Sequence, residues 1–408
     1  METASKTFLF DAHCTGRSRH QIGNQTPHLR WETRLPNFPP KSPESTAILD
    51  PEGNLYFGCH DSFFYSLNNA GLIRWRFPTG NKIYSSPTFL SNNTLTFASG
   101  DGVLYCLDLQ GSEKWRTRIG QNLSSGAFSE KIKLHSQKSH PLHEINRIDS
   151  ASSWASPKQL KSGAIIVSGY SSGVSAIDPI NGSPLWQIKC PNMPCLSGAA
   201  LTNDDDILIG LNNHTAARIT KDSDIKWQHA VESQFNLWGT PTFDPNTEIA
   251  FFPFSQLEDQ SIIVAFDPSG TPLWEQCLPA AIRGSLAVTH ESLLVGCFYD
   301  GAVRIIESKT GTILKSKKIS ESCFWTTPSI LPDNRILLST IDSNKPGIGR
   351  VILLDQDLSI IWEINTGKGH STPLVDEHSR IYFGSWKGDF SCYDTTFDGE
   401  SAAPRHQA

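Results

Sequence analysis

GNLYFGCHDSFFYSLNNAGLIRWRFPTG, residues 53–80, decides the fold because it contains three strand patterns in succession. Alternating apolar residues indicate one strand around Leu55 and a second around Tyr65, and a glycine turn then leads to a third strand that carries Trp75. Residues 93–120, NTLTFASGDGVLYCLDLQGSEKWRTRIG, repeat this order and place Trp115 in the last strand. The two stretches therefore indicate a repeating β-unit that ends with a tryptophan strand.

Further copies of the unit run along the chain. They place Trp186, Trp227, Trp274 and Trp362 in the last strand, and Lys315 at that position in one degenerate copy. Short segments of small residues, such as SSPTF at 85–89 and TTPSI at 326–330, precede many of the units and supply a fourth strand. Four strands at a period of about 40–50 residues are typical of a β-propeller.

The two ends of the chain predict how the ring closes. Residues 28–35, HLRWETRL, form a tryptophan strand with no strands before it, whereas the last copy stops at Asp394 without one. Joining them completes one more unit, so we expect an all-β fold, an eight-bladed β-propeller of four-stranded antiparallel blades. The expected domain spans residues 28–394, after a lead-in at 1–27 and before a disordered tail at 395–408.

One copy is longer than the others. Its surplus, residues 131–161, is polar and serine-rich, and we expect a loop insertion within the first hairpin of its blade, on the face opposite the funnel described below. Its histidines (His135, His140 and His143) lack a carboxylate or cysteine set beside them, so we predict no metal site. Cys190 and Cys195 have no second cysteine pair at matching spacing and are interpreted as loop thiols.

Composition limits the class of protein. A hydrophobic content of 38% with 10% aromatic residues is that of a globular domain, and a formal charge of −6 argues against nucleic acid as the partner. We expect no membrane span and no export signal, hence a cytoplasmic monomer. The odd count of nine cysteines argues against a disulfide framework. Five of them lie inside strand patterns and are expected to be buried thiols: Cys59, Cys106, Cys277, Cys297 and Cys392.

The turn sequences carry a family resemblance. AIDPINGSPLW at 176–186 and AFDPSGTPLW at 265–274 resemble the repeat of pyrroloquinoline-quinone (PQQ) enzymes, and residues 28–394 resemble the eight-bladed quinoprotein-like propeller family. HCTGRS at 13–18 resembles the lead-in of bacterial members. The family includes quinone-dependent alcohol dehydrogenases, a bacterial outer-membrane assembly lipoprotein and soluble proteins without the quinone.

Departures from the dehydrogenases bear on the cofactor. The resemblance implies that those enzymes have a vicinal cysteine pair, a calcium site, extra length and an export signal, whereas no two cysteines are adjacent in this chain. We therefore expect the soluble branch with no bound cofactor, and PQQ stays open as an alternative.

The propeller fold predicts a binding funnel where the innermost strands begin. Most innermost strands are preceded by a distinctive residue: Tyr84, Cys195, Trp238, Arg283, Trp325 and His370. The turns between second and third strands lie on the same rim and add His60, Asp61, Asp101, Tyr170, His214, Tyr299, Asp300, Trp386 and Lys387. Aromatic faces with an arginine suit a planar or anionic small molecule.

The predicted roles follow from side-chain chemistry. The ligand-binding candidates are Arg283, Trp238, Trp325, Tyr84, Tyr299 and Trp386, and the catalytic candidates are His370, His60 and Asp61. Bland alternatives remain for each kind of residue. Aspartates in such turns usually serve the turn itself, tryptophans can plug the channel, and a histidine or an arginine can be structural.

Two functions remain open at this level. The first is a binding module that holds a small ligand or a partner protein at the funnel. The second is a cofactor-independent enzyme of a biosynthetic pathway that acts on an aromatic or acidic metabolite. In that case Arg283 would hold the anion and His370 or His60 would transfer a proton.

Overall fold

The structure is a computed structural model that describes residues 7–36, 42–119, 155–169, 173–189, 197–212, 214–256, 260–323, 325–342 and 348–395. Within these residues the chain forms eight antiparallel sheets arranged as the blades of a propeller, as predicted, and contains no helix. The described part of the chain accordingly has no helix of the length and apolarity needed to cross a membrane.

The strands of blades 1 to 4 are β2 (Ile48–Leu49), β3 (Leu55–Gly58), β4 (Phe63–Leu67), β5 (Ile73–Pro78); β6 (Thr88–Phe89), β7 (Thr94–Ser99), β8 (Val103–Asp108), β9 (Glu113–Arg118); β10 (Lys158–Gln159), β11 (Ile165–Gly169), β12 (Gly173–Ile177), β13 (Pro184–Ile188); and β14 (Ala200–Leu201), β15 (Ile207–Asn212), β16 (Thr215–Ile219), β17 (Ile225–Ala230).

Blades 5 to 7 contain β18 (Asn236–Leu237), β19 (Thr242–Asp244), β20 (Ile249–Gln256), β21 (Gln260–Phe266), β22 (Pro272–Leu278); β23 (Ala287–Val288), β24 (Leu293–Cys297), β25 (Ala302–Glu307), β26 (Ile313–Lys318); and β27 (Ser329–Ile330), β28 (Ile336–Ser339), β29 (Gly349–Leu354), β30 (Ile360–Thr366). Blade 8 contains β31 (Leu374–Val375), β32 (Arg380–Ser385), β33 (Asp389–Asp394) and β1 (His28–Arg34). Blade 5 counts five strands because β18 and β19 both pair with β20 and together replace one innermost strand.

The N-terminal strand closes the ring, as predicted. Strand β1 pairs antiparallel with β33, from His28 opposite Asp394 to Arg34 opposite Asp389. The backbone N–H of Leu35 adds a hydrogen bond of 2.9 Å to Gly388 O. Both ends of the domain therefore meet in one blade, and the ring leaves no unpaired end blade.

Apolar contacts between blades form the core. The rings of Phe57 in blade 1 and Phe390 in blade 8 stack 4.3 Å apart, and those of Phe64 and Phe97 in blades 1 and 2 stack 4.0 Å apart. Each blade thus buries its faces against its two neighbours, which a single repeat could not do alone.

The repeated tryptophan covers the turn of the following blade. Trp31 Nε1 donates to Asn69 O at 3.1 Å, and Trp75 Nε1 donates to Leu109 O at the same distance. The turn glycine two positions further on has positive φ, 81° at Gly71 and 87° at Gly111. Its missing Cβ also leaves the space that the tryptophan ring occupies, since a Cβ on Gly71 would lie 2.6 Å from Trp31.

In the copy that carries Lys315 instead of tryptophan, the strand residue and the turn residue of this contact both differ from the other copies. Lys315 Nζ donates to Gln356 O at 2.9 Å, the carbonyl that corresponds to Asn69 O, and also pairs with Asp357. The turn position is glycine in blades 1, 2, 3, 5 and 6 and Ser223 in blade 4, but here it is Leu358, which is 1% exposed and has a φ of 63°. A leucine side chain fills the space that a tryptophan would need, and the flexible lysine reaches the same carbonyl.

We expect Lys315→Trp and Leu358→Gly to be coupled. Each single variant should be destabilised, because the tryptophan meets Leu358 or because the leucine's apolar burial is lost. The double variant should lose about 1–2 kcal/mol less free energy of unfolding than the sum of the losses in the two single variants. A double-mutant cycle by denaturant unfolding measures the coupling, and changes that simply add would contradict this account.

The long connection was expected inside the first hairpin of its blade, and that placement is wrong. It joins β9, which ends at Arg118, to β10, which begins at Lys158, so it links two blades. Ile119 N bonds to Gly102 O at 2.9 Å, so the connection starts beside a turn between second and third strands, on the funnel rim. The short β10 lies within the predicted insertion, and only residues 131–154 of that insertion, with its histidines, are outside the described residues.

The cysteines follow the prediction with one exception. Cys59, Cys106, Cys297 and Cys392 are buried thiols, but Cys277 is exposed because the alternation of the outermost strand β22 turns it outward. Cys190 and Cys195 lie outside the described residues, as do residues 396–408 of the expected tail.

Candidate functional site

A ring of small residues lines the central channel. Each blade contributes one hydroxyl residue or glycine just before its innermost strand: Thr46, Ser86, Ser156, Gly198, Thr240, Ser285, Thr327 and Thr372. Backbone N–H groups of one blade donate to the hydroxyl of the next, from Thr46 to Ser86 and from Ser86 to Ser156 at 2.9 Å each. This ring fixes the spacing of the blades and supports the residues above it.

The residues two positions before the members of this small-residue ring form the funnel wall. Those that line the cavity are Glu44, Tyr84, Trp238, Arg283, Trp325 and His370. The cavity has a volume of about 110 Å³, and the lead-in residue Phe8 also lines it. The structure therefore brings together five predicted residues and adds two, Glu44 and Phe8, that the sequence reasoning missed.

Arg283 lies between two indole rings. Its guanidinium carbon is 4.7 Å from the ring centre of Trp238 and 5.1 Å from that of Trp325, and the two indoles meet edge to face at 6.3 Å. The residue is only 3% exposed. The aromatic faces stabilise the cation and hold it in place beside the cavity.

Glu44 lies between two histidines. One carboxylate oxygen is 3.1 Å from His60 Nε2, and the other is 3.6 Å from His370 Nδ1. Burial alone would raise the pKa of Glu44, but the charges and polar contacts of the two histidines outweigh it and lower the pKa well below its ordinary 4.5. Glu44 is therefore a buried anion on the funnel wall.

His370 is held by aromatic rings. It stacks on Trp325 at 5.5 Å and meets the edge of Trp386 at 4.7 Å, while Lys368 Nζ lies 4.0 Å from the ring centre of Trp386. Trp386 does not line the cavity, and its buried Nε1 has no hydrogen-bond partner among the described residues. It supports His370 from behind.

Asp61 serves its turn. Its carboxylate accepts hydrogen bonds from Tyr65 Oη at 2.5 Å and Phe63 N at 3.0 Å. Asp101 accepts from Tyr105 Oη in the same way, at 2.7 Å. The carboxylate that meets His60 is that of Glu44, and the His60 ring contacts Tyr84 edge to face at 4.2 Å.

Other predicted rim residues lie apart from the cavity. Tyr299 is half-buried in the turn after β24, where its N–H bonds to Ala281 O at 2.9 Å, and it does not line the cavity. Tyr170 and Cys195 lie outside the described residues.

The position of Glu44 within its repeat could have identified it from the sequence. In the sequence it stands two residues before Thr46, as Tyr84 stands two before Ser86. Among the described residues no group of three or more histidines, cysteines and acidic residues is arranged to hold a metal ion.

Comparisons with known sequences match parts of the chain. The family model for the outer membrane protein assembly factor BamB matches residues 64–237. The beta-alanine-activating enzyme of Mus musculus is 33% identical over 73 residues, which is 16% of this chain and 7% of that protein. Its Homo sapiens counterpart is 32% identical over 98 residues, which is 22% of this chain and 9% of that protein. The chain thus covers less than a tenth of these two relatives.

Comparisons with solved structures cover most of the chain. BamB from Moraxella catarrhalis superposes with a TM-score of 0.65 at 17% identity, over 90% of this chain and 100% of that one. Quinohemoprotein alcohol dehydrogenase from Comamonas testosteroni has a TM-score of 0.58 at 13% identity, over 100% of this chain and 82% of that one. A europium-containing methanol dehydrogenase has a TM-score of 0.58 at 10% identity, over 83% and 89%. The chain is therefore an eight-bladed β-propeller with the PQQ-repeat, quinoprotein-like fold.

Proposed function

We propose that the funnel binds a small organic ligand that carries a carboxylate, with Arg283 as its receptor. The observation that carries the proposal is the buried guanidinium of Arg283, held between Trp238 and Trp325 beside the cavity. A planar guanidinium matches a carboxylate in two parallel hydrogen bonds. The neighbouring indoles supply faces for the carbon skeleton of the ligand.

The size of the cavity limits the ligand. A volume of about 110 Å³ holds several water molecules, since one water needs roughly 10–15 Å³ on this measure. A short-chain carboxylic or amino acid fits this space. We include no resident quinone in the proposal, because the described lining holds one arginine, Arg283, together with the Glu44 anion, a poor match for a tricyclic quinone with three carboxylates.

The charges of the wall suggest a first probe. Glu44 places a buried anion in the same cavity as the Arg283 cation, so a ligand with both an ammonium and a carboxylate group would meet both. The two curated relatives are named for activating β-alanine, a small molecule of that kind. β-Alanine and propionate, which lacks the ammonium group, are the matched probes.

Arg283→Gln is expected to weaken probe binding about 10–100-fold, because a charge-assisted hydrogen bond contributes roughly 1.5–3 kcal/mol. Isothermal titration calorimetry with propionate and β-alanine measures the change. Arg218→Gln is the matched control, since Arg218 is a buried arginine that bonds Asp206 at 2.7 Å in blade 4 and does not line the cavity. Equal affinities in wild type and Arg283→Gln would remove Arg283 from the site, and no binding in the wild type would refute the proposal.

The contacts of Glu44 favour a second candidate function. A carboxylate beside His60 and His370 is the arrangement that orients a histidine for proton transfer. In this alternative the funnel is the active site of a cofactor-independent enzyme on an acidic metabolite, with His370 or His60 moving the proton. If a metabolite bound by the wild type is converted and His370→Gln binds it without conversion, the enzyme is supported. Binding without turnover in both proteins supports the binding module.

A further inference from the structure

The lead-in segment crosses the face opposite the funnel mouth. We name residues 7–18 the N-terminal strap. Innermost-strand N–H groups donate to its carbonyls, from Leu201 to Ala12 at 2.8 Å and from Phe243 to His13 at 3.0 Å. The same contact recurs in the next two blades, where the acceptors are Thr15 and Gly16. The strap is thus bonded in turn to blades 4, 5, 6 and 7.

A buried lysine fixes the start of the strap. Lys158, 1% exposed on β10 of blade 3, donates from Nζ to Phe8 O at 2.6 Å and to Asp11 O at 2.7 Å. Burying an ammonium is costly unless its hydrogens are bonded, so this contact holds the backbone of Phe8 firmly in place. Leu9 and Phe10 have positive φ, 57° and 71°, which the surrounding contacts must maintain.

The strap also reaches the funnel cavity. Phe8 is its one residue that lines the cavity, where the rest of the lining consists of the small-residue ring and the funnel wall. The small residues by themselves leave an open bore, because serine, threonine and glycine fill little of the channel. The Phe8 side chain, at the strap end of the channel, is therefore placed to close the floor of the cavity.

We infer that Phe8 sets the depth of the cavity and so determines the length of ligand that the funnel accepts. This inference rests on the proposed function, because it assigns the far end of the same ligand site. A carboxylate at Arg283 directs the other end of the ligand toward the channel, and Phe8 offers that end an apolar contact. Short aliphatic acids are the favoured class, and longer chains meet the Phe8 ring.

The experiment is calorimetry of the full chain with propionate, butyrate, pentanoate and hexanoate. The wild type should favour the short acids, and Phe8→Ala should shift the preference toward hexanoate by at least tenfold relative to propionate. Phe10→Ala is the matched control, since Phe10 is also a strap residue and is buried against blades 8 and 1 without lining the cavity. Phe10→Ala should lower stability and keep the wild-type ranking. An unchanged ranking in Phe8→Ala would overturn the inference.

A crystal structure of Phe8→Ala separates the two proposals. If the wild type binds none of the acids, the proposed function fails, whereas the depth assignment is still decided by the shape of the variant. The assignment of Phe8 to the cavity depth predicts that the variant has a deeper cavity continuous with the funnel and a strap still bonded to Lys158. A cavity of unchanged depth, filled by another strap residue, would refute the role of Phe8.

Discussion

Gly111→Ala is expected to lower the free energy of unfolding by about 3–5 kcal/mol. Gly111 has a φ of 87°, where an alanine is strained, and its added Cβ would lie 2.6 Å from the nearest atom of Trp75. Strain and overpacking each cost roughly 1–3 kcal/mol, and the Trp75 ring cannot retreat easily because its Nε1 bonds Leu109 O. Urea unfolding of the two proteins measures the difference.

Gly163→Ala is the control that separates strain from the clash. Gly163 also has a positive φ, 97°, but the nearest atom to an added Cβ is Pro179 Cγ at 3.8 Å, an ordinary contact. We expect this variant to lose only about 1–2 kcal/mol. Equal losses in the two variants would show that the tryptophan does not need the empty space beside the turn glycine.

Glu44→Gln is expected to lower the free energy of unfolding by about 3 kcal/mol near neutral pH, since it removes one partner of a buried charge cluster. The pKa of Glu44 is lowered in the folded protein, so its contribution is fully present above its unfolded value of 4.5. Below pH 4.5 the unfolded chain takes up the proton first, and the contribution should decline by about 1.4 kcal/mol per pH unit. The gap between wild type and variant should therefore narrow as the solution becomes acidic.

Chemical unfolding of both proteins between pH 3 and pH 7 tests this, with Asp357→Asn as the control. Asp357 pairs with Lys315 at the surface, and its loss should leave stability unchanged within error at every pH. A wild-type advantage over Glu44→Gln that grew as the pH fell would contradict the assignment of Glu44 as a buried anion.

The rim residues show which features of the site could be predicted from the sequence and which could not. The sequence predicted that the residues before the innermost strands line the funnel, and Arg283, Trp238 and His370 do line the cavity. The direction of a turn side chain was not readable, because Asp61 is drawn to Tyr65 by a hydrogen bond within its own hairpin. Asp61 is the chain neighbour of His60 and Glu44 is sixteen residues away, yet of these two carboxylates it is Glu44 that lies 3.1 Å from the His60 ring.

The sequence by itself determined the repeating strands, the number of blades and the closure of the ring by residues 28–35. These features depend on alternation and turn residues within one repeat, and adjacent residues encode them directly. Only the tertiary structure decided that Glu44 meets His370 and that Phe8 lines the same cavity. Such contacts join segments from opposite ends of the chain across a channel, and no local periodicity records them, because they exist only once all the blades are packed.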